Sequence, residues 1–193
     1  FAIMTEERLP QNYVPIHYDL FVHVIKQVNP INASATITFH KNQEDDKAII
    51  HISPNISIQK ITQNGIPLKY DINIPKLIIH QSTDPKQDIS MYPIQIDYLL
   101  TVNEFDSQTK PHGFYKYHDS YLTKFETRYC RELMPCFDEP CNKATYTVKI
   151  RIPTELTGIS NMPIETTTMH DTEKELTFYK TPLMSSYILC ICI

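Results

Sequence analysis

The side chains able to do chemistry in this 193-residue chain are eight histidines, five cysteines and the adjacent carboxylates Asp138-Glu139, and their spacing excludes most catalytic schemes. No histidine opens a His-Glu-x-x-His stretch, which would set two zinc ligands and a general base on one helix face. His112 and His118 stand near Asp119, but without a ligand set at metal-binding spacing they read as surface histidines. Three scattered glycines cannot cradle a phosphate or form a dinucleotide fingerprint, and no Gly-x-Ser-x-Gly elbow presents a nucleophile. Cys130, Cys136, Cys141, Cys190 and Cys192 are odd in number and contain no Cys-x-x-Cys pair, so they read as free thiols rather than a disulfide framework, a zinc ribbon or a nucleophile paired with histidine. Asp138 and Glu139 suggest an acid-base pair, yet neighbours on an extended chain point to opposite faces. Held between Pro135 and Pro140, they fit a tight loop that they tie down by accepting backbone N–H bonds, with Arg128 or Arg131 as ionic partner.

The elements that must position these groups are strands. In Ala33-Ser34-Ala35-Thr36-Ile37-Thr38-Phe39-His40 the apolar side chains fall on one face and the polar ones on the other. Tyr18 to Val24, Ile94 to Tyr98 and Tyr146 to Ile152 alternate in the same way and are rich in β-branched and aromatic residues. Asn64-Gly65, Pro54-Asn55, Asp84-Pro85 and Pro153 punctuate them, Asn64-Gly65 being the strongest hairpin signal. Fourteen prolines against three glycines argue against long helices, leaving one short turn near Arg128 to Leu133. The expected fold is an antiparallel sheet or sandwich whose less regular part lies between His112 and Asn142. Ser185 to Ile193 is apolar on both faces and reads as a strand that needs cover on each side, so Ile193 is expected to be a cut with more protein downstream.

Composition is globular, with 41% hydrophobic and 21% charged residues, enough for one large all-β domain over residues 1–193. A net charge of −4 and a pI near 6.1 provide no electrostatic footprint for nucleic acid or an anionic membrane. No apolar stretch reaches bilayer length, and the opening Phe1 to Arg8 carries no leader pattern. Asn32-Ala33-Ser34 and Asn55-Ile56-Ser57 match the glycosylation sequon, a pattern short enough to arise by chance. The compartment expected is the cytoplasm, with an extracellular ectodomain of a membrane-anchored enzyme as the alternative.

Between Gly113 and Pro140 an ordered set of motifs stands out: Gly113-Phe114-Tyr115, Thr123-Lys124-Phe125-Glu126, and Arg131 through Met134-Pro135-Cys136-Phe137-Asp138-Glu139-Pro140. Arg8-Leu9-Pro10, Val14 to Leu20, Lys143-Ala144, Ser160-Asn161-Met162-Pro163 and Met184-Ser185-Ser186-Tyr187 flank it in order. Together they resemble the N-terminal domain of zinc aminopeptidases of the aminopeptidase N and puromycin-sensitive family. The resemblance implies a saddle-shaped, β-sandwich-like antiparallel domain, followed after residue 193 by a thermolysin-like domain that holds the zinc. It implies that this segment binds no cofactor of its own, contains no catalytic residue and is inactive alone. Its partners would be peptides with a free N-terminus and the downstream catalytic domain, with neither nucleic acid nor membrane contacted by this segment.

The resemblance also places Glu126 where a family glutamate holds the substrate's α-amino group. An exopeptidase must recognise a terminal ammonium, and a poised carboxylate gives a charge-assisted hydrogen bond that positions the first peptide bond. Lys124 stands where the family commonly has a glutamine lining the pocket for the first side chain, and three outcomes stay open for it: repelling the ammonium, altering side-chain preference, or swinging toward solvent as a flexible cation. The connection from Tyr115 to Leu122 is also short, so the sequence leaves the substrate side-chain preference open. Arg131, Pro135, Asp138, Glu139 and Pro140 are expected to be structural. The alternative is a binding or scaffold domain of the same fold whose parent lacks the metal site; an unrelated adhesion-type sandwich ranks last because it leaves the motif order unexplained.

Overall fold

A computed structural model describes residues 8–42, 45, 47–80, 93–105 and 110–193. The opening residues 1–7 and the Asp84-Pro85 turn lie outside the described residues. The strands are β1 (Tyr13–His23), β2 (Ile31–Lys41), β3 (Lys47–His51), β4 (Ile56–Gln63), β5 (Ile66–Pro67), β6 (Tyr70–Asn73), β7 (Lys76–His80) and β8 (Ile94–Leu100). They continue with β9 (Asn103–Glu104), β10 (Gly113–Tyr117), β11 (Ser120–Lys124), β12 (Thr145–Pro153), β13 (Ile159–Ser160), β14 (Ile164–His170), β15 (Glu173–Phe178) and β16 (Ile191–Cys192). The helical elements among the described residues are two 3₁₀ turns, Cys130–Glu132 and Ser186–Ile188.

An eight-stranded sheet runs in the order β14-β15-β12-β1-β2-β8-β4-β5, beside a five-stranded sheet β13-β16-β11-β10-β9 and a three-stranded sheet β3-β7-β6. Alternation does what the sequence predicts. Along β2, Ile31, Ala33, Ala35, Ile37 and Phe39 are buried while Asn32 and His40 are exposed, and β1, β8 and β12 follow suit. The Asn64-Gly65 turn joins β4 to β5 with φ of 50° and 77°, the two positive angles a type I′ hairpin turn needs. Pro54-Asn55 turns the chain between β3 and β4, closed by the Ile56 N–H donating to Ser53 O at 3.1 Å.

Two pairings depart from an antiparallel expectation. β1 lies parallel to β12, with His17 opposite Thr145, and β9 lies parallel to β10. The fold is all-β with mixed sheets. The apolar faces merge into one core that includes Tyr18, Leu20, Ile37, Ile96, Tyr146 and Ile150. Tyr18 and Tyr146 stack across the parallel pair, 5.0 Å between centroids and 5° between planes.

The irregular region is shorter than expected, because residues 113–124 form the β10–β11 hairpin and the non-repetitive chain begins only at Phe125. The C-terminal expectation is corrected more strongly. Ser185 to Ile193 is not one strand: its first half is the 3₁₀ turn, with Tyr187 and Ile188 exposed, and only its end pairs, Ile191–Cys192 as β16 and Ile193 through two backbone hydrogen bonds with Tyr121. The serines cause this. Ser185 Oγ donates to Pro140 O at 2.6 Å and Ser186 Oγ to Asp138 Oδ1 at 3.2 Å, anchoring the segment to a loop rather than to a ladder.

All five cysteines are free thiols; Cys130 and Cys136 are buried, Cys141 and Cys190 exposed. Burial pushes the Cys130 and Cys136 thiols above the usual range. Because the thiolate is the reactive form, a disulfide-exchange reagent at pH 8 is expected to label Cys141 and Cys190 at once and Cys130 and Cys136 only on unfolding. Rapid labelling of either buried thiol in the folded protein overturns this packing.

Candidate functional site

The candidate site is built where β11 ends. Phe125, 2% exposed, plugs the core directly after Lys124, so the flanking residues Lys124 and Glu126 are left outside, both exposed. The chain then turns through Glu126, Thr127 and Arg128, and the Tyr129 N–H closes the turn on Phe125 O at 3.0 Å. Glu126 makes no hydrogen bond or ion pair with any described residue. A carboxylate without a partner, on a turn fixed by a buried aromatic on one side and a 3₁₀ turn on the other, is poised to accept hydrogen bonds from a cation.

Beneath it the motif region acts as a clamp. Asp138, with no exposed surface, accepts from Arg131 Nε at 2.9 Å, from the Arg131 N–H at 3.2 Å and from Ser186 Oγ. Burial raises its carboxyl above the ordinary carboxylate range, opposed by the Arg131 guanidinium and the hydrogen bonds. Glu139 points elsewhere. It accepts from the Leu9 N–H at 2.9 Å and from Asn142 Nδ2 at 3.3 Å, so the two adjacent carboxylates serve different segments and do not converge. Cys136, next to Pro135, exchanges backbone hydrogen bonds with His51 at 2.8 and 3.0 Å. Tyr18 Oη accepts from the Phe137 N–H at 3.1 Å, and Tyr98 Oη donates to Leu133 O at 2.8 Å. Pro140 supplies the carbonyl that receives Ser185.

A shallow concavity of about 280 Å³ opens beside Glu126, lined by Thr127, Arg128, Tyr129, Arg131 and Glu132. Glu132 went unnoticed in the sequence. Its Oε2 pairs with His112 Nδ1 at 2.9 Å, and the His112 ring stacks on Tyr129 at 4.4 Å between centroids. The glutamate fits there because Gly113 has no side chain: a Cβ on Gly113 would stand 2.0 Å from Glu132 Oε2 and 2.9 Å from Glu132 Cβ. Gly113 also adopts φ of 75°, a backbone state that suits glycine. The Gly-Phe-Tyr stretch thus begins with glycine for two reasons. His118 sits far along the hairpin, exposed and against Tyr117 at 4.3 Å, away from His112. Among the described residues no group of three or more His, Cys, Asp or Glu is placed to hold a metal ion.

Of the two sequon asparagines, Asn55 is tied down, donating to Glu132 O at 2.9 Å and to Thr101 O at 3.2 Å, while Asn32 is exposed on β2. No helix among the described residues is long and apolar enough to cross a membrane.

Comparison with known proteins adds a family to this geometry. The model of the peptidase M1 N-terminal domain matches residues 14–188. Puromycin-sensitive aminopeptidase of Caenorhabditis elegans is 31% identical over all of the chain, and glutamyl aminopeptidase of Rattus norvegicus is 28% identical over 96% of it. In both, the match covers 21% of the relative, so the chain spans about a fifth of the length of these curated proteins. Among solved structures, a variant M1 zinc metallopeptidase of Deinococcus radiodurans bound to a Tyr-Ser-Ala substrate superimposes with a TM-score of 0.82. That match is at 19% identity and covers 96% of this chain and 43% of the other, a likeness of fold.

Proposed function

Because the chain belongs to the peptidase M1 N-terminal domain family, we propose that it forms one wall of the active-site cleft of a zinc aminopeptidase and supplies the carboxylate that holds the peptide's free α-amino group. The observation that carries this reading is Glu126, exposed and without a partner among the described residues, on a turn anchored by Phe125 and by the Arg131–Asp138 clamp. A terminal ammonium offers three donors to such a carboxylate, and binding energy gained there fixes the distance to the first peptide bond.

The described residues do not fit a zinc site. Zinc and the group that activates water belong, on this reading, to a thermolysin-like domain in the remainder of the parent, consistent with the fifth of its relatives that the chain spans. The domain spanning residues 1–193 alone would be inert, and turnover of aminoacyl substrates by it would contradict the division of labour. Five free thiols favour the cytoplasm over an oxidising compartment.

Glu126→Gln in the parent protein is the direct test. Losing a hydrogen bond to a charged group costs about 1.5–3 kcal/mol, so kcat/KM for aminoacyl substrates is expected to fall roughly 10- to 100-fold with the fold unchanged. Unaltered kcat and KM would sink the assignment.

A further inference from the structure

Lys124 has no role in holding the fold. It is exposed at the last position of β11 and makes no ion pair or hydrogen bond with any described residue. The cations around it are engaged: Lys116 with Glu104 at 3.1 Å on the neighbouring strand, and Arg131 with Asp138 below. Directly across the ladder from Lys124 is Gly113, which contributes no side chain. The carboxylate nearest that notch, Glu132, is already paired with His112. An exposed ammonium without a partner among the described residues therefore stands two residues before a carboxylate in the same state. With Phe125 between them turned into the core, their Cα atoms are at most about 7 Å apart.

Side by side, a free carboxylate and a free ammonium are the complement of a ligand carrying an ammonium and a carboxylate a few bonds apart. A peptide that begins with glutamate or aspartate presents that pair on one residue. We propose that Lys124 makes the first-residue subsite selective for acidic side chains. The inference rests on the assignment of the α-amine to Glu126 and adds to it the class of substrate. A neutral first side chain leaves Lys124 without a partner when the peptide displaces water, and a basic one meets like charge. Lysine also suits the task sterically, since its compact charge on a flexible stem can reach either the shorter or the longer acid.

The test compares glutamyl- and glutaminyl-4-nitroanilide, equal in shape and different in charge, with the full parent protein. The wild type is expected to prefer the glutamyl substrate by about tenfold in kcat/KM, a preference that shrinks as salt is added. Lys124→Gln should bring the ratio near one, and Lys124→Arg should keep most of the preference. A wild type indifferent to the charge, or a Lys124→Gln variant with an unchanged ratio, overturns the proposal. Glu126→Gln measured alongside separates the two claims, because it should depress both substrates alike. If it depresses neither, the amine assignment fails and the acidic preference loses its basis, and a parent that cleaves no aminoacyl substrate overturns both.

Discussion

Replacing Asp138 by alanine is expected to lower the melting temperature of the protein by roughly 6–20 °C. The carboxylate has no exposed surface and accepts from both the backbone and the side chain of Arg131 as well as from Ser186. Removing one member of a buried ion pair typically costs about 3–5 kcal/mol, because the remaining charge is left in a desolvated place. For a domain of this size each kcal/mol corresponds to roughly 2–4 °C. The same site sets a pH dependence. Burial raises the Asp138 pKa in the folded state, so the folded protein takes up this proton before the unfolded chain does. Its contribution to stability is therefore greatest below the ordinary carboxyl pKa and declines as pH rises through the window just above it. Asp138→Asn, which abolishes the titration while keeping the shape, is expected to remove that decline and to cost less than alanine. A melting temperature unaffected by Asp138→Ala, followed by circular dichroism, would show that the clamp does not hold the motif.

Gly113→Ala is the second large effect. An added Cβ meets Glu132 Oε2 at 2.0 Å and Glu132 Cβ at 2.9 Å, so the glutamate must leave its place and release His112. The backbone at φ of 75° adds a penalty of about 1–2 kcal/mol for any L side chain. Together with a lost hydrogen bond to a charged group, about 1.5–3 kcal/mol, the expected destabilisation is a few kcal/mol. Gly113 pairs with Lys124 across the ladder, so the disturbance also reaches the residues assigned to substrate. In the parent, Gly113→Ala should raise KM as well as lower the melting temperature. Glu132→Ala, which empties the notch, should restore part of the stability in the double variant. If the two substitutions prove additive, the interlock between Gly113 and Glu132 is not the source of the effect.

The strands were legible because their signal is local. β2 needs only its own residues to announce a buried and an exposed face, and Asn64-Gly65 carries its turn type in two residues. The parallel partnership of β1 and β12 was not legible. His17 and Thr145 are 128 positions apart, and nothing in either alternating strand specifies the direction of its neighbour. The error at Ser185 to Ile193 has a different origin: apolar composition suggested a ladder, whereas two serine hydroxyls find acceptors on a distant loop. For the site, the prolines flanking Asp138 and Glu139 suggest a tied loop, but the partner of each carboxylate depends on chain crossings no local pattern encodes. Glu126 and Lys124 drew notice through the resemblance. Glu132 did not, because the space it occupies is made by a glycine 19 positions earlier in the chain.

The side-by-side alignment of β1 and β12 has a consequence for biosynthesis. β1 lies inside the large sheet, with β2 on one flank and β12 on the other, so one of its edges stays bare until residues 145–153 have been made. Contacts so remote in the chain slow the search for the native topology. Until then the β1–β2 hairpin presents an uncovered edge of the kind that pairs with a stray strand, and the arrival of β12 is what closes it.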